Sequence, residues 1–187
     1  MQQMIDNWTQ LFDEVAGCDK CELCRARTYA VPGEGDPEAR LMFVGEGPGA
    51  DEDAQGRPFV GASGALLTAM LREIGIDRST VYIANLVKCR PPQNRTPTDD
   101  EIAACAPYLN WQLGRIKPRF VVALGATAAR SLISPDIRIR RDHGQWRDVD
   151  GIQMMPTFHP SAMLRDAAQK RLAWADFLSI KQQLEGE

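Results

Sequence analysis

Apolar residues recur along this chain with two periods, and the alternation between them outlines a fold. Over residues 4–16 the apolar positions Met4, Ile5, Trp8, Leu11, Phe12 and Val15 fall three and four apart, which predicts an amphipathic helix. A polar segment bearing cysteines follows and reads as an irregular loop. Leu41-Met42-Phe43-Val44 is a short unbroken apolar run closed by Gly45, the pattern of a strand covered on both faces. Residues 45–63, GEGPGADEDAQGRPFVGAS, are rich in glycine and acid and read as a loop. Ser63 then caps a predicted helix over 64–74, with Leu66, Leu67, Met70, Leu71 and Ile74 on its inner face.

The second half repeats the scheme. Val81 to Ala84 predicts a second strand running into Asn85. Thr98 with Glu101 three residues later is a capping-box signature for a helix over about 99–114. Phe120 to Leu124 predicts a third strand closed by Gly125, followed by an alanine-rich helix. Met154 to Thr157 predicts a fourth, leading into His159. A last amphipathic helix over about 166–184 offers Leu172, Trp174, Phe177, Leu178 and Leu184 for packing. Strands alternating with helices predict an α/β fold, a single domain over 1–187 with three layers (α/β/α) and a central, mostly parallel four-stranded sheet. Ligands bind such sheets at the carboxyl ends of the strands. Three loops leave those ends, 45–59, 85–95 and 158–165, and are expected to converge.

Composition narrows the class. The 187 residues are 44% hydrophobic and 25% charged, ordinary for a globular domain. No apolar run reaches signal-peptide or membrane-span length, so the expected location is the cytoplasm, with no membrane partner. The formal net charge of −3 leaves room for local basic clusters, of which there are several: Arg115, Lys117 and Arg119; Arg138, Arg140 and Arg141; Arg165, Lys170 and Arg171. Each reads alone as solvated surface.

Two residue types stand out. Cys18, Cys21 and Cys24 lie together, and Cys89 and Cys105 lie far downstream. In a reducing compartment they are expected as thiols, and four or more with a C-x-x-C pair suggest a metal site or an iron–sulfur cluster. A structural zinc site fits the same count. Histidine occurs twice. His143, in RRDHGQW, reads as surface; His159, in PTFHPSAMLR, sits where a strand ends and is either a loop residue or a poised acid–base group.

Four stretches together carry a resemblance: CDKCELCRART (18–28), GEGPGADEDAQGRPFVG (45–61), NLVKCRPPQNRTPT (85–98) and TFHPSAMLR (157–165). In this order, with cysteines so spaced, the chain resembles the family-four, iron–sulfur uracil-DNA glycosylases from Cys18 to about Leu172. The resemblance implies the uracil-DNA glycosylase fold and hydrolysis of the N-glycosidic bond of uracil in DNA, leaving an abasic site. A base stacked in duplex must first rotate into a pocket. By analogy Phe59 stacks on the flipped base and Asn85 reads uracil O4 and N3. His159 donates to O2, where negative charge grows. Gly45 and Gly47 belong to the base pocket, Gly47 through its backbone amide. The best-known branch of the superfamily has a water-orienting aspartate where this chain has Gly47, and Glu46 resembles the substitute carboxylate. That branch bars thymine with a tyrosine where this chain has Gly49, and Glu52 is expected to crowd the 5-methyl position instead.

The resemblance also assigns Cys18, Cys21, Cys89 and Cys105 as ligands of a structural 4Fe–4S cluster, with Cys24 a bystander or a substitute for Cys21. DNA contacts fall to Arg90, Arg95, Ser161 and Arg165, and an apolar wedge into the base stack to Met163 and Leu164. The implied partner is uracil-containing DNA, single- or double-stranded, met by a monomer in the nucleoid. Two alternatives differ in class: an idle iron–sulfur module that only binds DNA, and a relative that traps uracil-DNA through a histidine. The stretch KCRPPQNRTP (88–97) has no histidine for trapping.

Overall fold

The computed structural model describes residues 5–186; the predicted helical position Met4 lies outside them. Helix α1 spans Trp8–Ala16 and is capped by Asn7, whose side chain accepts from the Gln10 amide at 3.0 Å. The cysteine segment that follows is irregular apart from one 3₁₀ turn at Glu22–Arg25. The chain then enters a six-stranded sheet made of β1 (Glu34–Gly35), β2 (Leu41–Gly45), β3 (Tyr82–Asn85), β4 (Phe120–Leu124), β5 (Arg147–Val149) and β6 (Ile152–Thr157).

The sheet order is β1-β3-β2-β4-β6-β5. Its four inner strands, β3-β2-β4-β6, are mutually parallel and are the four read from the apolar runs. The outer pair, β1 and β5, run antiparallel and make the sheet mixed and six-stranded rather than four-stranded. They are two and three residues long, too short for any period to show.

The inner strands are buried on both faces because alternate side chains feed two cores. Leu41, Phe43, Ile83, Phe120 and Val122 pack under α3 (Ala62–Glu73), α7 (Pro160–Arg165) and α8 (Ala167–Glu185). Met42, Val44, Tyr82, Ala84, Val121 and Ala123 pack under α4 (Asp99–Ile116) and α5 (Ala126–Leu132). These are the three layers. A third, smaller core joins Leu11, Val15 and Leu23 to Val87, Cys89, Cys105 and Tyr108, and seats the N-terminal segment on the sheet's flank.

The local signals fared unevenly. Thr98 and Glu101 do form a capping box on α4. Ser63 does not cap α3: the N-cap is Gly61, whose amide is held by the Glu52 carboxylate. Glu52 itself lies in a short helix, α2 (Ala50–Gln55), where the sequence reads as loop. On α8 the buried stripe is Ala173, Phe177 and Ile180, while Leu172, Trp174 and Leu178 stay exposed. A further four-residue helix, α6, spans Ile139–Asp142.

Candidate active site

The parallel strands point their carboxyl ends at one edge, so Gly45, Asn85, Gly125 and His159 arrive there from β2, β3, β4 and β6. Beside them lies a cavity of about 500 Å³, lined by Asn85, Gly125 and His159 together with Glu46, Gly47, Glu52, Phe59, Arg95, Ser161 and Arg165. The three loops predicted to converge do so. The order of the sheet reverses direction at β2, the topological switch point where such sheets hold ligands.

Asn85 ends β3 opposite Gly45 of β2 and is 1% exposed. Its side-chain oxygen Oδ1 is buried with no hydrogen-bond partner. A buried amide oxygen left unpaired costs about 1–3 kcal/mol, so this acceptor calls for an N–H donor from a ligand. Gly45 makes room for it: a Cβ there would lie 2.5 Å from Asn85 Oδ1 and 2.7 Å from the Phe59 ring.

Phe59 holds φ at +50°, an unusual conformation for a bulky residue and worth about 1–3 kcal/mol of strain. Two groups hold it. Arg78, which no sequence motif singles out, donates from Nη1 to the Phe59 carbonyl (2.9 Å) and from Nη2 to the Pro58 carbonyl (2.6 Å). Glu52 accepts from the amides of Val60 (2.9 Å), Gly61 (3.0 Å) and Gly49 (3.1 Å). The Glu52 carboxylate is therefore immobilised, a fixed piece of wall.

His159 caps α7, and its Nδ1 accepts from the Ser161 backbone N–H at 3.1 Å. A backbone N–H only donates, so Nδ1 must present its lone pair and the proton of the neutral ring sits on Nε2. Burial, reinforced by the nearby Arg165 charge, pushes the His159 pKa down to about 4, so the ring is neutral near pH 7. The Phe59 and His159 rings stand 5.7 Å apart, tilted 36°. Gly125, with φ at +94°, lets β4 pass close: a Cβ there would meet His159 Cβ at 3.0 Å.

The remaining predicted residues divide. Glu46 lines the cavity, and no ion pair or hydrogen bond engages its carboxylate among the described residues. Gly47 lacks a side chain for want of space, since a Cβ would lie 2.8 Å from Val87 Cγ2. Arg165 lines the cavity, whereas Arg95 does so while forked onto Glu101 (2.7 and 2.8 Å). Arg90 Nε donates to Asn94 Oδ1 at 2.8 Å. Ser161 places its hydroxyl 2.8 Å from His159 Nδ1; donating there, it has no proton left for a phosphate. Met163 is 2% exposed and packs in the core, so it cannot serve as a surface wedge, whereas Leu164 is 52% exposed. The reading of His143 as surface is also corrected. It is half-buried, its Nδ1 lies 2.9 Å from Asp176 Oδ1, and the buried Asp176 also receives the Thr157 hydroxyl at 2.6 Å. Thr157 lies two residues before His159, so this buried group braces the strand end that carries it.

The cysteines gather separately. All five are free, and all line one small pocket beside Val87 and Lys88. Arg27 Nη1 donates to Cys89 Sγ at 3.1 Å and the Lys88 backbone N–H to Cys105 Sγ at 3.2 Å. Sulfurs that receive such donors suit a thiolate centre. Among the described residues no three His, Cys, Asp or Glu side chains close in tightly enough to hold a single metal ion. A single zinc would draw four ligands to within roughly 2.3 Å of one point. A 4Fe–4S cluster takes one thiolate at each of four corners, and the five thiols of this pocket suffice in number for either centre. Cys24 lines the same pocket, so the geometry does not choose between it and Cys21. Burial pushes the Cys105 thiol up to about 11, and its ligation requires a metal to displace the proton.

Comparison with known proteins gives a consistent answer. Residues 32–178 match the family model of the Uracil DNA glycosylase superfamily. The chain is 49% identical over 160 residues to a Type-4 uracil-DNA glycosylase of Thermotoga maritima, covering 84% of this chain and 83% of that protein. It is 43% identical over 187 residues to one of Sulfurisphaera tokodaii, covering 95% and 85%. A third, from Archaeoglobus fulgidus, is 42% identical over 175 residues, covering 89% and 88%.

Proposed function

The chain belongs to the uracil-DNA glycosylase superfamily, and from that premise we propose that it excises uracil from DNA as a type-4 enzyme, acting as one domain and as a monomer. The observation that carries the proposal is the buried, unpartnered Oδ1 of Asn85. Uracil offers N3–H to that oxygen and O4 to the amide's own N–H. Cytosine offers an acceptor at N3 and an amino group at position 4, leaving both amide groups mismatched, at about 1–3 kcal/mol for each.

The remaining roles follow from placement. The flipped base lies against the Phe59 ring, which gives affinity without choosing among bases. As the bond between N1 and C1′ breaks, charge gathers on uracil O2, and the Nε2–H of neutral His159 donates to it. A preorganised donor of this kind is worth roughly 3–4 kcal/mol. Glu46, with its carboxylate unengaged, balances the cationic sugar and orients the attacking water. Glu52 confronts the 5-position as an immobile wall and so crowds a methyl group. Arg165 and Arg90 hold phosphates, and Leu164 fills the gap left in the stack.

The cysteines fit a 4Fe–4S cluster held by Cys18, Cys21, Cys89 and Cys105; such a cluster is redox-capable chemistry, here used to fasten the N-terminal segment to the 89–105 region. Among the described residues no helix is long and apolar enough to cross a membrane, and the enzyme works where DNA is, in the cytoplasm or nucleoid. The test is incubation with a uracil-containing oligonucleotide, single- or double-stranded, followed by alkaline cleavage. A cut strand is expected. An unchanged strand with tight binding means an idle module, and a stable protein–DNA adduct means trapping; either overturns the proposal.

A further inference from the structure

One buried charge has no part in the chemistry above. Lys88 is 1% exposed, and its ammonium donates to the Asn85 carbonyl (2.9 Å) and to Gln112 Oε1 (2.8 Å). Both acceptors are neutral. Gln112, itself fully buried, is held by donating to the Pro32 carbonyl (2.7 Å) and to the Tyr82 hydroxyl (3.0 Å). Among the described residues no carboxylate pairs with Lys88. Lysine is almost never buried unless it is paired. Its counter-charge must be sought nearby, and the candidate is the cysteine pocket, which Lys88 lines. Its backbone N–H already donates to Cys105 Sγ, and Cys89 is the next residue. An iron–sulfur centre ligated by four thiolates is anionic, because the thiolates outweigh the charge of the core.

The same side chain grips the peptide that presents the base reader. Its backbone is already tied on both sides: Leu86 donates to the Gly45 carbonyl (2.9 Å), Val87 to the Glu46 carbonyl (3.3 Å), and Val31 to the Lys88 carbonyl (2.7 Å). Residues 85–89 thus form a short rigid bridge, with Asn85 at one end and Cys89 at the other. Lys88 spans it on the inside.

We propose that Lys88 is a positioning residue: its buried ammonium is the counter-charge of the cysteine-bound cluster and, through the Asn85 carbonyl, fixes the amide that reads the base. The inference rests on the cluster reading above. It gives the cluster a use in an enzyme whose reaction moves no electrons, since a cluster that keeps the ammonium in place keeps Asn85 in register.

The test replaces Lys88 with methionine, similar in volume and uncharged, and measures three things: iron per chain, the midpoint potential of the cluster, and kcat and KM for uracil excision. Iron is expected to stay. The potential is expected to move negative, because a lost positive charge favours the oxidised, less anionic cluster. The lost charged hydrogen bond is expected to lower kcat about tenfold or more, with KM for DNA little changed. Lys88→Gln keeps a donor amide without the charge, and serves also if the methionine variant does not accumulate. It is expected to recover part of kcat while its potential stays shifted. An unshifted potential in either variant, or an unchanged kcat in Lys88→Met, overturns the role of Lys88 alone. Wild-type protein that binds no iron overturns the cluster reading and this inference with it.

Discussion

The base cavity and the cysteine pocket lie on either side of residues 85–89, and they are built on opposite plans. In the cavity, bonding capacity is spent before any ligand arrives. Glu52 is held by three amides, Ser161 faces His159, Arg95 is forked onto Glu101, and Arg78 locks the strained Phe59. Among the described residues, what remains open is little: Asn85 Oδ1, the Glu46 carboxylate, the His159 ring nitrogen Nε2 and the Arg165 guanidinium. In the cysteine pocket five free thiols meet, and the N–H donors turned on their sulfurs include Arg27 Nη1 on Cys89 and the Lys88 amide on Cys105. The first site is finished by folding, and the second is finished by what binds it. Damage to the cavity should therefore cost rate, and damage to the cysteine pocket should cost stability first.

The largest effect that tests this contrast is His159→Ala. It removes the donor to the leaving base, and excision of uracil should slow roughly 10²–10³-fold with the melting temperature little changed. Asn85→Ala should follow, slowing turnover well over about tenfold. A near-normal rate in both would remove the cavity from the chemistry. Cys105→Ala should do the converse. Iron binding is lost, metal-coupled folding energy goes with it, and the thermal midpoint should drop by about 10 °C or more. A variant that keeps both its iron and its melting temperature would place the centre elsewhere.

Gly45→Ala is a smaller perturbation of the cavity. The new methyl falls 2.5 Å from Asn85 Oδ1 and 2.7 Å from the Phe59 ring, so one of them must shift. Turnover should fall about tenfold, and crowding two buried side chains should cost about 1–3 kcal/mol of stability. Unchanged kinetics would mean that the pocket gives way freely.

The mildest test is pH. His159 titrates at about 4 in the fold, held down by burial, against about 6.5 when unfolded. The unfolded chain therefore takes up this proton first, and stability falls as pH drops from about 6.5 toward 4. Glu101, lowered to about 2 chiefly by its bonds to Arg95, adds a second loss as pH falls below the usual carboxylate range toward 2. Urea midpoints at graded pH should decline in these two stages, and His159→Asn should abolish the first. The excision rate should stay level from about pH 8 to about pH 5, because the catalytic tautomer persists. A rate that falls through pH 6.5 would mean that His159 is not neutral in the working enzyme.

The sequence alone determined the four parallel strands, because each is a run of apolar residues long enough to need cover on both faces. It also determined the α4 cap, which is a matter of two side chains three residues apart, and the cysteines and loop motifs, which are legible as residue types in order. Only the tertiary structure decided the rest. The edge strands β1 and β5 are too short to carry a period and exist because a neighbour offers them hydrogen bonds. Met163 and Leu164 are adjacent and alike in character, yet one is core and the other surface, which only the seating of α7 on α3 and α8 settles. Glu52 and Ser161 read as contacts for a ligand; both line the cavity, and the fold also ties Glu52 to three backbone amides and Ser161 to His159. Lys88, which nothing in the sequence singles out, is buried because Gln112 and the Asn85 carbonyl, at one end of the bridge, and the thiols at the other close over it. A local pattern fixes what a segment can form; which of its polar atoms are left unsatisfied depends on residues far away in the chain, and that is where the function of this protein was decided.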